Sequence, residues 1–317
     1  MDRAPGFDAG KEDSYRDVLW EDGERLFCRT WRDRGNGDPQ ELLAAVPSAE
    51  YPTAGTIDRL KHEYRLREYL EGEWALRPLE LVRERGRTVL LLEPPGGSPL
   101  DRFIGAPMEI GRFLRLAIAI SVAVGRMHRR GLVHKDIKPS NILVGPATDR
   151  IWLTGFGIAS RLLRERQSPE PPELIAGTLA YMAPEQTGRK NRSIDSRSDL
   201  YSIGVVLYQV ITGTLPFTAL DPMEWVHCHI ARRPLPASER PGHIPPPISA
   251  IIMKLLAKPP EERYQTGAVG RRLAGSPGVD GAAAGRGSGR AAARRDRGEP
   301  GGRDDLRRHL RDEWGDK

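Results

Sequence analysis

The chain predicts an α+β protein of two unequal parts, a small β-rich one followed by a larger, mainly helical one. Three observations carry this. Strand-like apolar runs, Leu42-Leu43-Ala44-Ala45-Val46 and Thr88-Val89-Leu90-Leu91-Leu92, fall within the first 93 residues. A Pro/Gly-rich break, Pro94-Pro95-Gly96-Gly97-Ser98, separates them from the larger part. Beyond it, Leu116, Ile120, Val124 and Met127 recur at helical spacing over residues 111–129. The organisation expected is a flexible start at 1–14 and a folded unit at 15–266. That unit divides into a small lobe (15–93), a hinge (94–98) and a large lobe (99–266).

In the small lobe one helix is expected over 56–69. In the large lobe further helices are expected from Ser198-Asp199 onward, where an Asp suits a helix start, over 248–256, and near 221–230 with Met223 and Trp225 packing it. From residue 267 the composition changes abruptly. Gly, Arg and Ala dominate 270–302, a mixture that cannot bury a core, so 267–317 reads as a disordered tail. Leu306, Leu310 and Trp314, at i, i+4, i+8, mark a last short helix. The abruptness reads as a truncated or frame-shifted end.

Composition excludes several classes. Residues 1–14 are polar and acidic, without the apolar segment of a secretion signal. The apolar stretch 114–125 is too short to span a membrane and carries Arg115. Cys28 and Cys228 are the only cysteines, which rules out a disulfide framework or a Cys-rich zinc site. His227 and His229 flank Cys228 with no fourth metal ligand evident. The net charge of +6 is carried by arginine, much of it in the tail, and reads as solvated charge rather than a nucleic-acid surface. A cytoplasmic protein with no nucleic-acid and no membrane partner is expected.

The chemistry sits in His134-Lys135-Asp136-Ile137-Lys138-Pro139-Ser140-Asn141. This string resembles the catalytic loop of the eukaryotic-type Ser/Thr protein kinases, H-R-D-x-K-P-x-N. In that family an Asp orients the attacking hydroxyl and accepts its proton. A Lys two residues on reaches the γ-phosphate, and an Asn five residues after the Asp holds a metal ion. Ala183-Pro184-Glu185 matches the A-P-E closing the activation segment, with Gly177-Thr178 before it. Asp199 matches the Asp that anchors the catalytic loop from below, and Arg263 the Arg that pairs with the A-P-E glutamate, Glu185. The resemblance covers about residues 15–266 and implies the bilobal protein-kinase fold, with ATP and Mg²⁺ as cofactors. It implies Asp136, Lys138, Asn141 and Thr178 as the catalytic set, Asn141 as metal ligand, and His134, Phe156, Glu185, Asp199 and Arg263 as anchors. Residues 187–196 and 221–230 also resemble the N-terminal kinase-like domain of large bacterial hybrid sensor kinases that carry an ATPase-type module.

Four positions depart from the family pattern, and all concern nucleotide or metal. The D-F-G turn reads Gly155-Phe156-Gly157, so its metal-binding carboxylate is missing. The lysine of V-A-I-K is absent: no lysine lies between Lys11 and Lys61, and Leu43 or Ala44 takes its slot. Glu63, the helix glutamate that should pair with it, then loses its partner, unless Arg29 or Arg32 compensates. The phosphate-covering loop, Glu21-Asp22-Gly23-Glu24-Arg25, keeps one glycine, Gly23, and gains carboxylates that Arg25 can offset only in part. Finally, with Leu92 guarding the back of the adenine pocket and Glu93 following it, Pro95 falls where kinases donate a backbone N–H to the base, and proline has none.

The function expected is therefore a Ser/Thr protein-kinase-like domain in a bacterial signalling pathway, acting on or through a protein partner. ATP and Mg²⁺ binding are expected to be weak, as in a pseudokinase or a weak kinase. The alternative is an active kinase using Asp136, Lys138 and Asn141. A small-molecule phosphotransferase is disfavoured by the peptide-platform motif at 177–185.

Overall fold

A computed structural model describes residues 17–33, 39–84, 86–146, 150–161, 179–188, 193–266 and 269–275. Five antiparallel strands form the small lobe: β1 (Val18–Glu21), β2 (Arg25–Asp33), β3 (Pro39–Pro47), β4 (Pro78–Glu84) and β5 (Arg87–Leu92). They pair in the order β1-β2-β3-β5-β4. Strand β3 is apolar at every position from Leu42 to Val46, which requires cover on both faces. Leu43 and Ala45 point with Phe27, Leu90 and Leu92 toward Leu60 of helix α1 (Ala54–Arg65). Leu42, Ala44 and Val46 pack with Val89 and Leu91 on the opposite face. Thr53 caps α1, its Oγ1 accepting from Thr56 N at 3.2 Å.

The large lobe is built on α2 (Ile110–Arg129) and α3 (Ser196–Thr212), followed by α4 (Pro222–Ile230), α5 (Pro246–Leu255) and α6 (Val269–Ala274). The periodicity read in the sequence is the buried face of α2: Leu116, Ile120, Val124 and Met127 are all covered. Helix α3 is buried nearly all round, as befits a helix at the centre of a lobe. It begins two residues earlier than expected. Its N-cap is Asp195, which accepts from Arg197 N at 2.8 Å, whereas Asp199 is turned into the core. Of the two residues expected to pack α4, Trp225 stacks on His229, but Met223 is half exposed.

The large lobe also runs past residue 266. Helix α6 packs on α2, with Gly270 beside Ser121 and Leu273 fully buried. This moves the expected boundary at 267: one well-placed leucine anchors a short helix inside a segment whose average composition argues against a core. The expected flexible start and the expected helix around residues 304–314 lie outside the described residues.

Short strands join the lobes around the cleft. β6 (Ser98–Pro99), β8 (Ile142–Val144) and β9 (Ile151–Leu153) form one small sheet, and β7 (Leu132–Val133) pairs with β10 (Ser160–Arg161). Leu153 N donates to Trp74 O and Leu76 N to Leu153 O, both at 2.8 Å, so β9 is stitched to the small lobe through the backbone. No helix among the described residues is long and apolar enough to cross a membrane.

Candidate active site

The loop between β7 and β8 brings Asp136, Lys138 and Asn141 together. Lys135 takes a left-handed backbone, φ +69°, which turns the chain sharply. The strain is held by Asp199, whose two carboxylate oxygens accept from His134 N and Lys135 N at 2.9 Å each. His128 Nε2 adds a third bond to Asp199 at 2.8 Å. His134 donates from Nε2 to Thr154 O at 2.9 Å and accepts at Nδ1 from Asp136 N at 3.2 Å. That pattern needs a neutral ring. Burial pushes the His134 pKa down, outweighing the opposite pull of Asp199 and Asp136. The Phe156 ring packs 4.7 Å from His134.

Asn141 Nδ2 donates to Asp136 O at 2.8 Å and to Asp136 Oδ2 at 2.9 Å. Lys138 Nζ lies 3.2 Å from the same Oδ2. The Asp136 side chain is mostly buried, only 17% exposed, in this arrangement. Thr178 lies outside the described residues.

Below the loop, Glu185 and Arg263 form a bidentate pair, Nη1 to Oε1 at 2.6 Å and Nη2 to Oε2 at 2.9 Å. Ser198 Oγ also donates to Glu185, at 2.8 Å. The remaining guanidinium N–H groups reach Ala257 O, Arg197 O and Lys258 O, so all five donors of a fully buried arginine are used. His134, Phe156, Glu185, Asp199 and Arg263 are all buried around this loop.

The upper half of the cleft differs from expectation. Glu63, fully buried on α1, does have a partner: Arg25 Nη1 lies 2.7 Å from its Oε2. The cation comes from β2, and from neither residue named in the sequence. Arg29 pairs with Asp17 and Glu41 at the exposed edge, and Arg32 with Glu80. Register excludes Arg32, which lies opposite Gln40 on the other face. Arg25, opposite Pro47, and Arg29, opposite Leu43, share the α1-facing side of the sheet with Phe27 and Ala45. Of these two Arg25 is the one that reaches Glu63, while Arg29 is taken by Asp17 and Glu41. The same parity bears on the β3 slot: Ala44 faces away from the cleft, whereas Leu43, together with Ala45, lies on the cleft-facing side.

Beside the hinge, side chains fill the space between the lobes. Phe27, Leu43 and Leu92 from the sheet and Leu143 from β8 belong to one cluster, each at most 1% exposed. Leu43 lies directly opposite Leu92 in the sheet. Glu93 turns aside to pair with Arg77 at 2.9 Å, and Pro95 offers no N–H. At the other end Gly155 has φ +88°, and a Cβ placed there would lie 2.6–2.8 Å from the amide atoms of Asn141. The Asn141 side chain has taken the room of the missing carboxylate. Gly23 turns the β1–β2 hairpin at φ +93°, in open space.

The protein kinase domain family model matches residues 49–270. The chain belongs to the protein kinase family. It is 37% identical over 162 residues to serine/threonine-protein kinase PknB of Mycobacterium tuberculosis, covering 51% of this chain and 25% of that protein. It is 36% identical over 181 residues to PknB of Mycobacterium leprae (56% and 28%). It is 36% identical over 186 residues to serine/threonine-protein kinase Pkn1 of Myxococcus xanthus (56% and 26%). The matches thus span about a quarter of the length of these relatives.

Kinases of this family generally use ATP and Mg²⁺, and the cleft can be tested for both. Asp136 Oδ1, Asn141 Oδ1, Thr154 Oγ1 and Glu63 Oε1 are buried with no hydrogen-bond partner among the described residues, a set of oxygens that suits a cation. Against this, Gly155 supplies no ligand, and no group of three or more His, Cys, Asp or Glu side chains converges among the described residues. The base end is occupied by Phe27 and Leu43. These residues do not fit a magnesium nucleotide held in the family's manner.

Proposed function

We propose that this kinase domain works mainly by binding a protein partner in a bacterial signalling pathway, with little or no phosphoryl transfer of its own. One observation carries the reading: Phe27, Leu43, Leu92 and Leu143 close the cleft where the base of a nucleotide would enter. Gly155 and the inward turn of Asn141 support it at the metal end. The scaffold of Glu185, Asp199 and Arg263, which shapes the partner-facing lower lobe, is retained. The resemblance of residues 187–196 and 221–230 to hybrid sensor kinases supports a role at the head of such a pathway, in the cytoplasm.

A second reading has its own support. The Arg25–Glu63 pair supplies a cation on the cleft side of the sheet, and Asp136, Lys138 and Asn141 are gathered below it. This favours an active Ser/Thr kinase in which the β3 lysine has been replaced from β2. Transfer of label from γ-labelled ATP to the domain itself and to a generic protein substrate separates the two, with Mg²⁺ and Mn²⁺ in parallel. No incorporation above that of Asp136→Asn is expected. Time-dependent labelling abolished by Asp136→Asn would establish the second reading instead.

A further inference from the structure

The β1–β2 turn holds a carboxylate in an unusual setting. Asp22 Oδ1 accepts from two successive backbone N–H groups, Glu24 N at 3.0 Å and Arg25 N at 2.8 Å. Asp22 Oδ2 accepts from Arg25 Nε at 2.8 Å, and Arg25 Nη2 completes the fork. The Asp22 side chain is 4% exposed and that of Arg25 is 9% exposed, so this is no surface ion pair. The same guanidinium reaches Glu63 with its other nitrogen.

Two N–H groups at a glycine-bearing turn, with a buried guanidinium beside them, make a receptor for an oxyanion. The electrostatics extend across the cleft. Burial opposes ionisation of Asp22, but Arg25 and then Lys138, on the lower-lobe loop, outweigh it and hold its pKa below the ordinary value. The carboxylate therefore sits in the combined field of a cation from each lobe. Arg59 of α1 clamps the same turn by pairing with Glu24.

We propose that Asp22 is a built-in anion that occupies the phosphate end of the cleft, taking the turn N–H groups and the Arg25 guanidinium that an external phosphate group would otherwise use. The site is thus anion-receptive but self-filled. Any phosphate-bearing ligand must first displace a covalently tethered competitor, whose effective concentration stays high because it lies on the same hairpin. The proposal deepens the closed-cleft reading at the opposite end of the cleft. It concerns phosphate alone and does not depend on what fills the base end.

Inorganic tripolyphosphate, which has phosphates and no base, is the probe. It is titrated without metal, at low ionic strength, into the full chain and into Asp22→Ala, with melting temperature and calorimetry as readouts. The wild type is expected to show no saturable binding at millimolar probe. Asp22→Ala is expected to gain at least about tenfold in affinity, as a like charge leaves a buried cationic site. Adding Lys138→Ala should reverse most of that gain. If Asp22→Ala gains nothing, or if the wild type binds as tightly, the proposal is overturned and Asp22 merely closes the turn. A gain that survives Lys138→Ala intact belongs to another basic surface and also overturns it. Metal-free ATP is run beside the probe. If Asp22→Ala prefers ATP strongly to tripolyphosphate, the built-in anion stands and the closed base end falls. Should Asp22→Ala not fold, Asp22→Asn keeps an oxygen for the two N–H groups while losing the charge. A smaller but measurable gain, from the freed Arg25 guanidinium alone, is expected of it, and no gain overturns the proposal.

Discussion

Two buried ion networks flank the cleft. Below, Glu185 and Arg263 lock the end of the activation segment to the large lobe, while Asp199 holds the catalytic loop. Above, Glu63 is held by Arg25, which is shared with Asp22. Both bury carboxylates that would be costly without a partner. They differ in where the partner comes from. The lower partners stand at the positions that the family pattern assigns. The upper cation has moved from one strand to its neighbour, and its second carboxylate lies in the turn that should cover phosphates. A pleated sheet permits this exchange because residues directly opposite on adjacent strands point to the same side. The upper network preserves the position of α1, which also bonds through His62 Nε2 to Ala159 O at 2.7 Å. A catalytic cleft can thus keep its architecture while its ligand-facing surface is filled.

If both networks are structural, both should be costly to break. The largest effect is expected below. Arg263→Ala or Asp199→Ala should lose about 3–5 kcal/mol, because each strands a buried charge or several backbone donors. Urea melts would show this as a lower midpoint. Asp136→Asn should cost no more than about 1 kcal/mol, since Asp136 keeps partial access to water and anchors no other element. Wild-type midpoints for Arg263→Ala and Asp199→Ala would dissolve the contrast from its lower side.

Above, Arg25→Met should cost on the order of 3 kcal/mol by leaving Glu63 buried and unpaired. The double change Arg25→Met with Glu63→Leu should recover only the part owed to Glu63. The triple change that adds Asp22→Asn should recover more, since Asp22 too loses the shared guanidinium. A neutral single mutant would mean that the upper pair is ornamental and only the lower network holds the fold.

A third test separates burial from pairing within the large lobe. His229 is enclosed by Tyr201, Phe217 and Trp225, with Tyr201 Oη 2.9 Å from its Nδ1. Burial first, and Lys258 second, push its pKa down from 6.5 to about 3. The unfolded chain takes up a proton below about pH 6.5 that the native state refuses until about pH 3. Stability contributed by the neutral ring is therefore full above pH 6.5 and falls as the pH drops toward 3. Replacing His229 with Gln should flatten the stability profile between about pH 6.5 and 5, where few carboxylates titrate. An unchanged slope would mean that His229 does not set the acid limb.

The smallest gain in activity is expected of the most obvious repair. Gly155→Asp restores the family carboxylate, but its Cβ meets the Asn141 amide and its backbone sits at φ +88°. It should destabilise by about 1–2 kcal/mol and leave label transfer from ATP at the Asp136→Asn background. Robust transfer by this single variant would show that only one ligand separates the domain from an active kinase.

The lower half of the cleft is legible in the sequence because its chemistry is contiguous. His134 to Asn141 lie on one loop, and Asp199 and Arg263 sit in short unambiguous strings. The upper half is less legible for a physical reason. Strand β3 is apolar at Leu42, Leu43, Ala44, Ala45 and Val46, so alternation cannot tell which residues face the cleft. Motif spacing alone puts the lysine slot at Leu43 or Ala44, and of these only Leu43, with Ala45, is on the cleft-facing side. Three arginines on β2 are equivalent by composition; the register against β3 sets Arg32 on the other face but leaves Arg25 and Arg29 together, and only the approach of Glu63 on α1 singles out Arg25. The parity set by Phe27 narrows the choice to Arg25 and Arg29. Helix α6 is hidden because one leucine, Leu273, does the anchoring in a run of Gly, Ala and Arg.

Calorimetric titration of ATP into the wild-type chain, with Mg²⁺ present and then with metal chelated, asks whether the cleft is closed to nucleotide. A cleft filled by Phe27, Leu43 and Leu143, and carrying Asp22 at its phosphate end, should give no saturable heat up to millimolar ATP under either condition. Saturable binding at micromolar ATP that depends on Mg²⁺ would refute a filled cleft, because it requires the cleft to open and a metal to be held without a carboxylate at Gly155.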